Sequence, residues 1–311
     1  MTCLGIDTSN YTTSCAVFDG SDGVNCGRLL DVPEGQLGLR QSDALFSHVK
    51  RLPELITGLQ DSGKAQGICA VAASTRPREV DGSYMPCFLA GESLGKSLAS
   101  VLRVPFYPFS HQQGHLAAAA WSAGHSELFR APFLAWHLSG GTTELLLVNK
   151  KEKDRMMSAE RIGGTSDLAA GQLIDRTGKL LGLRFPAGKE LDRLARTAGL
   201  HLKPFVASCH GLEASFSGLE NKAAQLRQSG SDGANIASFV LRSVCETVKK
   251  VTAAAQQEYP GLPVLFSGGV SSNSILRETF PEGIFAEPCY STDNAMGIAI
   301  LGKMAFEAEA E

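Results

Sequence analysis

Two imidazoles four residues apart, His111 and His115, stand in the segment Ser110-His-Gln-Gln-Gly-His-Leu-Ala-Ala118. Positions i and i+4 share one face of a helix, so both rings can reach one metal ion. The Ala-rich continuation has high helix propensity. A lone pair at this spacing also arises by chance, and on its own it is a weak signal. A metalloprotease of the His-Glu-x-x-His type needs glutamate after the first histidine as its base. Gln112 stands there and cannot accept a proton, which excludes that class. Asp7 closes an apolar run (Cys3-Leu-Gly-Ile6), a common place for a metal-linked acid. The Ser/Thr-rich tip that follows, Thr8 to Ser14, could hold phosphate oxygens or could be an ordinary turn.

The elements that must position these groups are legible in outline. Residues 3–19 predict a hairpin and residues 20–40 a loop. Helical periodicity runs from Gln41 to Leu59 and from Met85 to Leu102, with strands at Gly67–Ala73 and Val104–Tyr107. Pro105 and Pro108 deliver an extended segment into the histidine helix. A second hairpin follows, Pro132–Leu138 and Glu144–Val148, around Ser139-Gly-Gly-Thr-Thr143. It repeats the design of the first and predicts an internal duplication.

Further on, residues 163–183 predict a helix with Asp167 in its first turn, and residues 199–213 are irregular. Asp175, inside that helix, reads as a solvated carboxylate or a ligand contact. Ile236–Ala255 is a long amphipathic helix. Val264–Arg277 reads as strand, Gly-Gly turn and helix, where glycine lets a ligand approach the backbone. Thr292 or Asp293 could cap the last helix, and the tail Glu307–Glu311 reads as frayed.

The composition is that of an ordinary globular chain: 43% hydrophobic, 20% charged, net charge −3 over 311 residues. Any contact with a polyanion must therefore be a local patch. Arg76 with Arg78, and Lys150, Lys151, Lys153 and Arg155, are candidates, although each set also reads as a solvated turn. Eight cysteines without C-x-x-C spacing argue against a zinc knuckle or a thioredoxin-like site and suit a reducing compartment. With no apolar run of membrane-spanning length and no basic-then-apolar start, the expectation is a cytoplasmic protein without a membrane partner.

Several stretches, in order, carry a resemblance. They are Leu4-Gly-Ile-Asp-Thr-Ser9, His111-x-x-Gly-His115, Leu138-Ser-Gly-Gly141, Asp175 with Lys179-Leu-Leu-Gly-Leu183, and Phe185-Pro-x-Gly188. Ser215-Phe-Ser-Gly-Leu219, Ser267-Gly-Gly-Val270 with Asn273, and Thr292-Asp-Asn294 complete the set. Together they resemble the TsaD (YgjD/Gcp) family, the tRNA N6-adenosine threonylcarbamoyltransferases. The resemblance implies an α/β, actin-like ATPase (ASKHA) fold with two duplicated lobes and an interlobe cleft. One lobe is expected at 1–110 plus 293–311 and the other at 111–292.

It also implies the activity, transfer of the threonylcarbamoyl group from threonylcarbamoyl-AMP to N6 of the adenine next to the anticodon in tRNA. By the same resemblance His111, His115 and Asp293 bind one divalent metal, iron or zinc. Leu138, Ser139, Gly140 and Gly141 face the activated substrate, and Asp175, Gly188 and Asn273 bind its adenine nucleotide. Asp7 and Ser139 are the expected catalytic residues. A paralogous actin-like subunit and an accessory ATPase are the implied protein partners.

The chain departs from the family at Asp7 (usually Glu), Asn10-Tyr-Thr12, Thr75-Arg-Pro-Arg78 (a Gly-Pro-Gly loop), Thr142 (His) and Glu220 (Lys). It reads as a diverged paralogue. The competing function is a catalytically weak or inactive scaffold that binds nucleotide and metal.

Overall fold

A computed structural model describes residues 1–9, 11–31, 39–150, 157–200 and 202–310. Asn10, Lys151, Lys153 and Arg155, singled out above, lie outside the described residues. In chain order the elements are β1 (Thr2–Thr8), β2 (Thr12–Phe18), β3 (Gly23–Leu29), α1 (Gln41–Asp61), β4 (Ile68–Arg76), α2 (Phe88–Leu102), β5 (Phe106–Ser110) and α3 (His111–Ser122). Then come β6 (Phe133–Leu138), β7 (Thr143–Lys150), β8 (Met157–Thr165), α4 (Ala170–Leu180), α5 (Gly188–Ala195), β9 (Ser208–His210) and β10 (Glu213–Ser215). The chain continues through α6 (Ser217–Gln228), α7 (Gly233–Glu258), β11 (Val264–Ser267), α8 (Ser274–Thr279), β12 (Ile284–Phe285) and α9 (Met296–Ala310).

The described chain forms two compact units: Met1–Ala131 with Asn149–Ala159 and Thr292–Glu311, and Pro132–Val148 with Glu160–Ser291. The first sheet has strand order β3-β2-β1-β4-β5. Every residue of β1 and β2 is buried, as expected for strands covered on both faces. The second sheet runs β12-β11-β6-β7-β8-β10-β9. Its segment β8-β7-β6-β11-β12 repeats the order of the first sheet. In both, a hairpin is flanked by strands parallel to its first arm: β4 beside β1 and β11 beside β6. The duplication expected from the two hairpins is therefore present as topology. This is the α/β architecture of the actin-like ATPases.

The histidine helix belongs to the first unit, not with 132–291 as the boundary at 110/111 had it. The cause is close backbone packing. A Cβ on Gly297 of α9 would lie 1.8 Å from the carbonyl oxygen of Gly114 of α3. Two facing glycines therefore let α9 and α3 touch along their backbones.

Four further expectations are corrected. Residues 23–29 are a strand, half-buried to exposed, paired along β2; a polar edge strand leaves no apolar run to read. Residues 157–165 are β8, so the segment Gly163–Thr165 precedes α4 rather than opening it. Residues 199–213, read as irregular, contain β9, which pairs antiparallel with β10. The tail is helical to Ala310, held in part by Tyr107 Oη donating to Glu309 at 2.7 Å. Cys3, Cys15, Cys69, Cys87 and Cys245 are buried thiols, and all eight cysteines are free. Among the described residues no helix is long and apolar enough to cross a membrane.

Candidate metal centre and nucleotide cavity

Strand β5 ends at Ser110, which caps α3. The Ser110 hydroxyl accepts from the Gln113 amide at 3.2 Å, and Gln113 Oε1 accepts from the Ser110 amide at 2.8 Å. This capping box fixes the first helical turn, and His111 and His115 project from it on one face. Their Nε2 atoms lie 2.9 Å apart. Asp293 Oδ1 is 3.5 Å from His111 Nε2 and 3.3 Å from His115 Nε2. The three donor atoms lie within 4.8 Å of one another.

Asp293 is free for this task because it does not cap the last helix. Asn294 Oδ1 accepts from the Met296 amide at 3.1 Å instead. Asn25 Oδ1 takes the Ala295 amide at 3.0 Å.

The far side of each of two donors is also held. Asp7, with no exposed surface, lies with Oδ1 2.8 Å from His111 Nδ1. A carboxylate only accepts, so Nδ1 carries a hydrogen and Nε2 is the nitrogen turned to the cluster. Asp7 Oδ2 is buried and has no partner. Ser9 Oγ donates to Asp293 Oδ2 at 2.9 Å.

Burial works to lower the basicity of His111, but the charge of Asp7 and the contacts with Asp293 override it and push His111 up to about 10. Burial would raise Asp293, and the hydrogen bonds and charge of His111 and His115 hold it well below the usual carboxylate range. Two ring nitrogens this close to each other and to a carboxylate share either protons or a cation. Two imidazoles and one carboxylate, with outer-sphere partners in place, fit zinc or iron.

The second group of expected residues lies in the other unit. Gly140, Asp175, Gly188 and Asn273 line one cavity of about 570 Å³, together with Gly171, Lys189, Asp192, Gly269 and Val270. Gly140, Gly171, Gly188 and Gly269 bring bare backbone to its wall. Gly268, at φ +87°, tolerates no side chain, since a Cβ would lie 2.3 Å from the Leu138 carbonyl oxygen.

The polar side chains here largely brace loops. Asp175 Oδ1 accepts from the Ala187 amide at 2.8 Å. Asn273 Oδ1 caps α8 through the amides of Ile275 and Leu276 at 3.0 and 3.1 Å. Asp192 takes the amide and hydroxyl of Ser274. Leu138 is fully buried in the core, so its side chain faces no ligand. Ser139 closes its own turn: its amide donates to the Thr142 carbonyl at 2.8 Å and its hydroxyl accepts from the Thr142 amide at 3.1 Å. Its N–H is therefore already committed and is no open dipole for a ligand, whereas Gly140 and Gly141 are exposed at the tip.

Asp167 is no first-turn residue. It accepts from the Ser215 hydroxyl and from the amides of Leu168, Phe216 and Ser217. Burial opposes its ionisation, and these bonds override that and hold it well below the usual range. Glu220 is paired with Arg176 at 3.0 Å, and Arg76 stands opposite Ser110 in the β4–β5 register.

Sequence reasoning missed Ser9, Lys189 and Asp192. Ser9 stood in the tip read as a phosphate holder, and no spacing rule links it to a residue 284 positions away.

Solved structures share the fold. The (R)-2-hydroxyglutaryl-CoA dehydratase component A of Acidaminococcus fermentans is 16% identical over 100% of both chains, with a TM-score of 0.57. HypF of T. kodakarensis is 14% identical over 99% of this chain and 48% of its own, with a TM-score of 0.58. A ROK family protein of Streptococcus pneumoniae TIGR4 is 11% identical over 100% and 99%, with a TM-score of 0.53. The sequence itself matches the TsaD family, described as tRNA N6-adenosine threonylcarbamoyltransferase, over residues 40–300. With a match over most of its length, the chain belongs to the TsaD family.

Proposed function

We propose that this chain transfers the threonylcarbamoyl group of threonylcarbamoyl-AMP to N6 of the adenine next to the anticodon in tRNA. The observation that carries the reading is the convergence of His111, His115 and Asp293, with Asp7 and Ser9 behind them, in a chain of this family. In the reaction the adenine amine forms a bond to the carbamoyl carbon and loses a proton, and AMP leaves with the electron pair of the broken C–O bond. An exocyclic amine is a poor nucleophile, so the catalyst must act on the electrophile. An iron or zinc ion held by the triad would polarise the adenylate and offset charge on the leaving phosphate.

Asp7 keeps the His111 ring in the tautomer that ligation needs. In the other unit, Gly140, Gly141, Gly188 and Gly269 offer backbone at which the donor can lie close. The second oxygen of Asp175 and the amide nitrogen of Asn273 are the polar contacts assigned to its nucleotide. Ser139 acts by shaping the turn. An unpaired anticodon loop presents its bases unstacked, which suits modification of a base edge. The reading makes the chain a cytoplasmic enzyme working with a paralogous actin-like subunit and an accessory ATPase.

The scaffold reading is favoured by one observation: Glu220, a lysine in the family pattern, is neutralised by Arg176 and offers no cation to a phosphate. The two readings separate in one assay. Purified protein, threonylcarbamoyl-AMP and tRNA are combined, with and without partner proteins, and nucleosides are resolved by mass spectrometry. Modified adenosine is expected; its absence under every condition, with metal and nucleotide both bound, leaves the scaffold.

A further inference from the structure

In a chain of net charge −3, residues 176–196 hold six basic and two acidic residues. Arg176 is paired with Glu220 and Arg196 with Glu278. The other four, Lys179, Arg184, Lys189 and Arg193, are exposed. Lys189 and Arg193 sit at i and i+4 on α5 and so share a face. Lys189 also stands in the first turn of α5, where the helix dipole disfavours a cation. Of the two acids, Asp192 is engaged with Ser274, and Glu190 is exposed.

Between Arg184 and Lys189 stands Phe185, 84% exposed. A single exposed apolar residue is ordinary, but this one sits on a segment held in place at both ends. At the end of α4 the Gly182 amide donates to the Lys179 carbonyl and the Leu183 amide to the Gly178 carbonyl. Gly182 there has φ +80°, the Schellman arrangement. At the other end Asp175 takes the Ala187 amide. The ring is thus presented to solvent by a braced loop, and the next residues, Pro186, Gly188 and Lys189, line the nucleotide cavity.

We infer that this loop and the first turns of α5 are a docking surface for a single-stranded loop of RNA. Phe185 stacks on an unpaired base, and Lys179, Arg184, Lys189 and Arg193 track the phosphates. Cations alone would serve any polyanion; the exposed ring among them selects an unstacked base. The inference rests on the reading above that tRNA is the acceptor, and it locates the acceptor's contact beside the cavity assigned to the donor.

The test is fluorescence anisotropy of the full-length protein with a labelled anticodon stem-loop, and with a fully paired RNA duplex of equal charge, over a range of salt. Wild type should prefer the stem-loop. Phe185→Ala should weaken stem-loop binding about tenfold and leave the duplex unchanged, and Phe185→Trp should restore it. Replacing Lys179, Arg184 and Arg193 together by Ala should reduce the dependence of log affinity on log salt by roughly 2. Thermal melting of each variant checks that the fold is intact. If wild type binds the stem-loop and the variants bind it equally well, the surface is wrong and the acceptor reading stands. If wild type binds no RNA while it still binds an adenine nucleotide, the acceptor reading fails and the surface with it. If the patch takes polyglutamate as tightly as RNA, it belongs to an acidic protein partner and the RNA assignment is overturned.

Discussion

At the candidate metal triad every donor atom belongs to a side chain, with Asp7 behind His111 and Ser9 behind Asp293. At the candidate nucleotide cavity four lining residues are glycines, and Asp175 and Asn273 each spend a side-chain oxygen on holding a loop or a helix end. The first site is chemistry fixed by a buried network. The second is a shape that its glycines keep open. The two should therefore fail under opposite changes: the triad when atoms are removed, the cavity when atoms are added.

The largest effect is expected from removing both rings. His111→Ala with His115→Ala should reduce bound iron or zinc to background, measured by elemental analysis of protein purified without chelator. Adenine nucleotide binding to the other unit, measured by calorimetry without added metal, should persist. Metal retained by the double variant would put the ion elsewhere and end the contrast.

Asp7→Asn tests the layer behind the rings. The side chain keeps its size and an acceptor for His111 Nδ1 but loses its charge. Outer-sphere changes of this kind typically cost about 10- to 100-fold in metal affinity. Competition with a chromogenic chelator should report a loss in that range, with thermal melting to separate misfolding from weak binding. Unchanged affinity would mean that Asp7 does not orient the ring.

Two adjacent glycines probe the cavity. A Cβ at Gly269 meets nothing within 4 Å, and the residue lines the cavity. Gly269→Val should leave the melting temperature nearly unchanged and weaken adenine nucleotide binding by roughly tenfold, about 1.4 kcal/mol. At Gly268 the same reasoning predicts the reverse order of effects. Its positive φ and the Leu138 carbonyl oxygen 2.3 Å from a Cβ make Gly268→Ala a loss of stability, on the order of 1–3 kcal/mol for the strained backbone. If both variants behave alike, the cavity is not defined by free space at Gly269.

What the sequence made legible divides along the same line. The hairpins, the long helices and the His pair follow from periodicity and spacing, which are local. The strand order shared by the two sheets was legible only as two similar hairpins, because β4 and β11 join their sheets from far along the chain. Ser9 escaped because its partner lies on another element. Asn273 and Ser139 matched a pattern, yet the Asn273 side-chain oxygen is taken up by a helix cap and the Ser139 hydroxyl by a turn, which only the three-dimensional structure reveals. Asp293 reads from sequence equally well as a cap or a ligand. Asn294 and Asn25 decide the matter by taking the amides that a cap would have served.

The smallest effect is a proton. Burial disfavours the charged His111 ring, but Asp7 and Asp293 together raise it to about 10 without metal. At neutral pH the metal-free ring is therefore protonated, and ligation must displace that proton. Calorimetry of zinc binding in buffers of different ionisation enthalpy should register release of about one proton per metal from this ring, and affinity should rise with pH.

The same shift acts on folding with a defined sign. A histidine whose folded-state value lies above its ordinary 6.5 stabilises the fold fully below 6.5, and that contribution is lost as pH rises through about 10. The metal-free protein should thus lose stability across that window, and Asp7→Asn should flatten the loss. Gly269→Val adds no charge and removes none, so it should follow the wild-type pH profile. A pH-independent zinc affinity, or an Asp7→Asn profile identical to wild type, would mean that the His111 proton is held by something other than this pair of carboxylates.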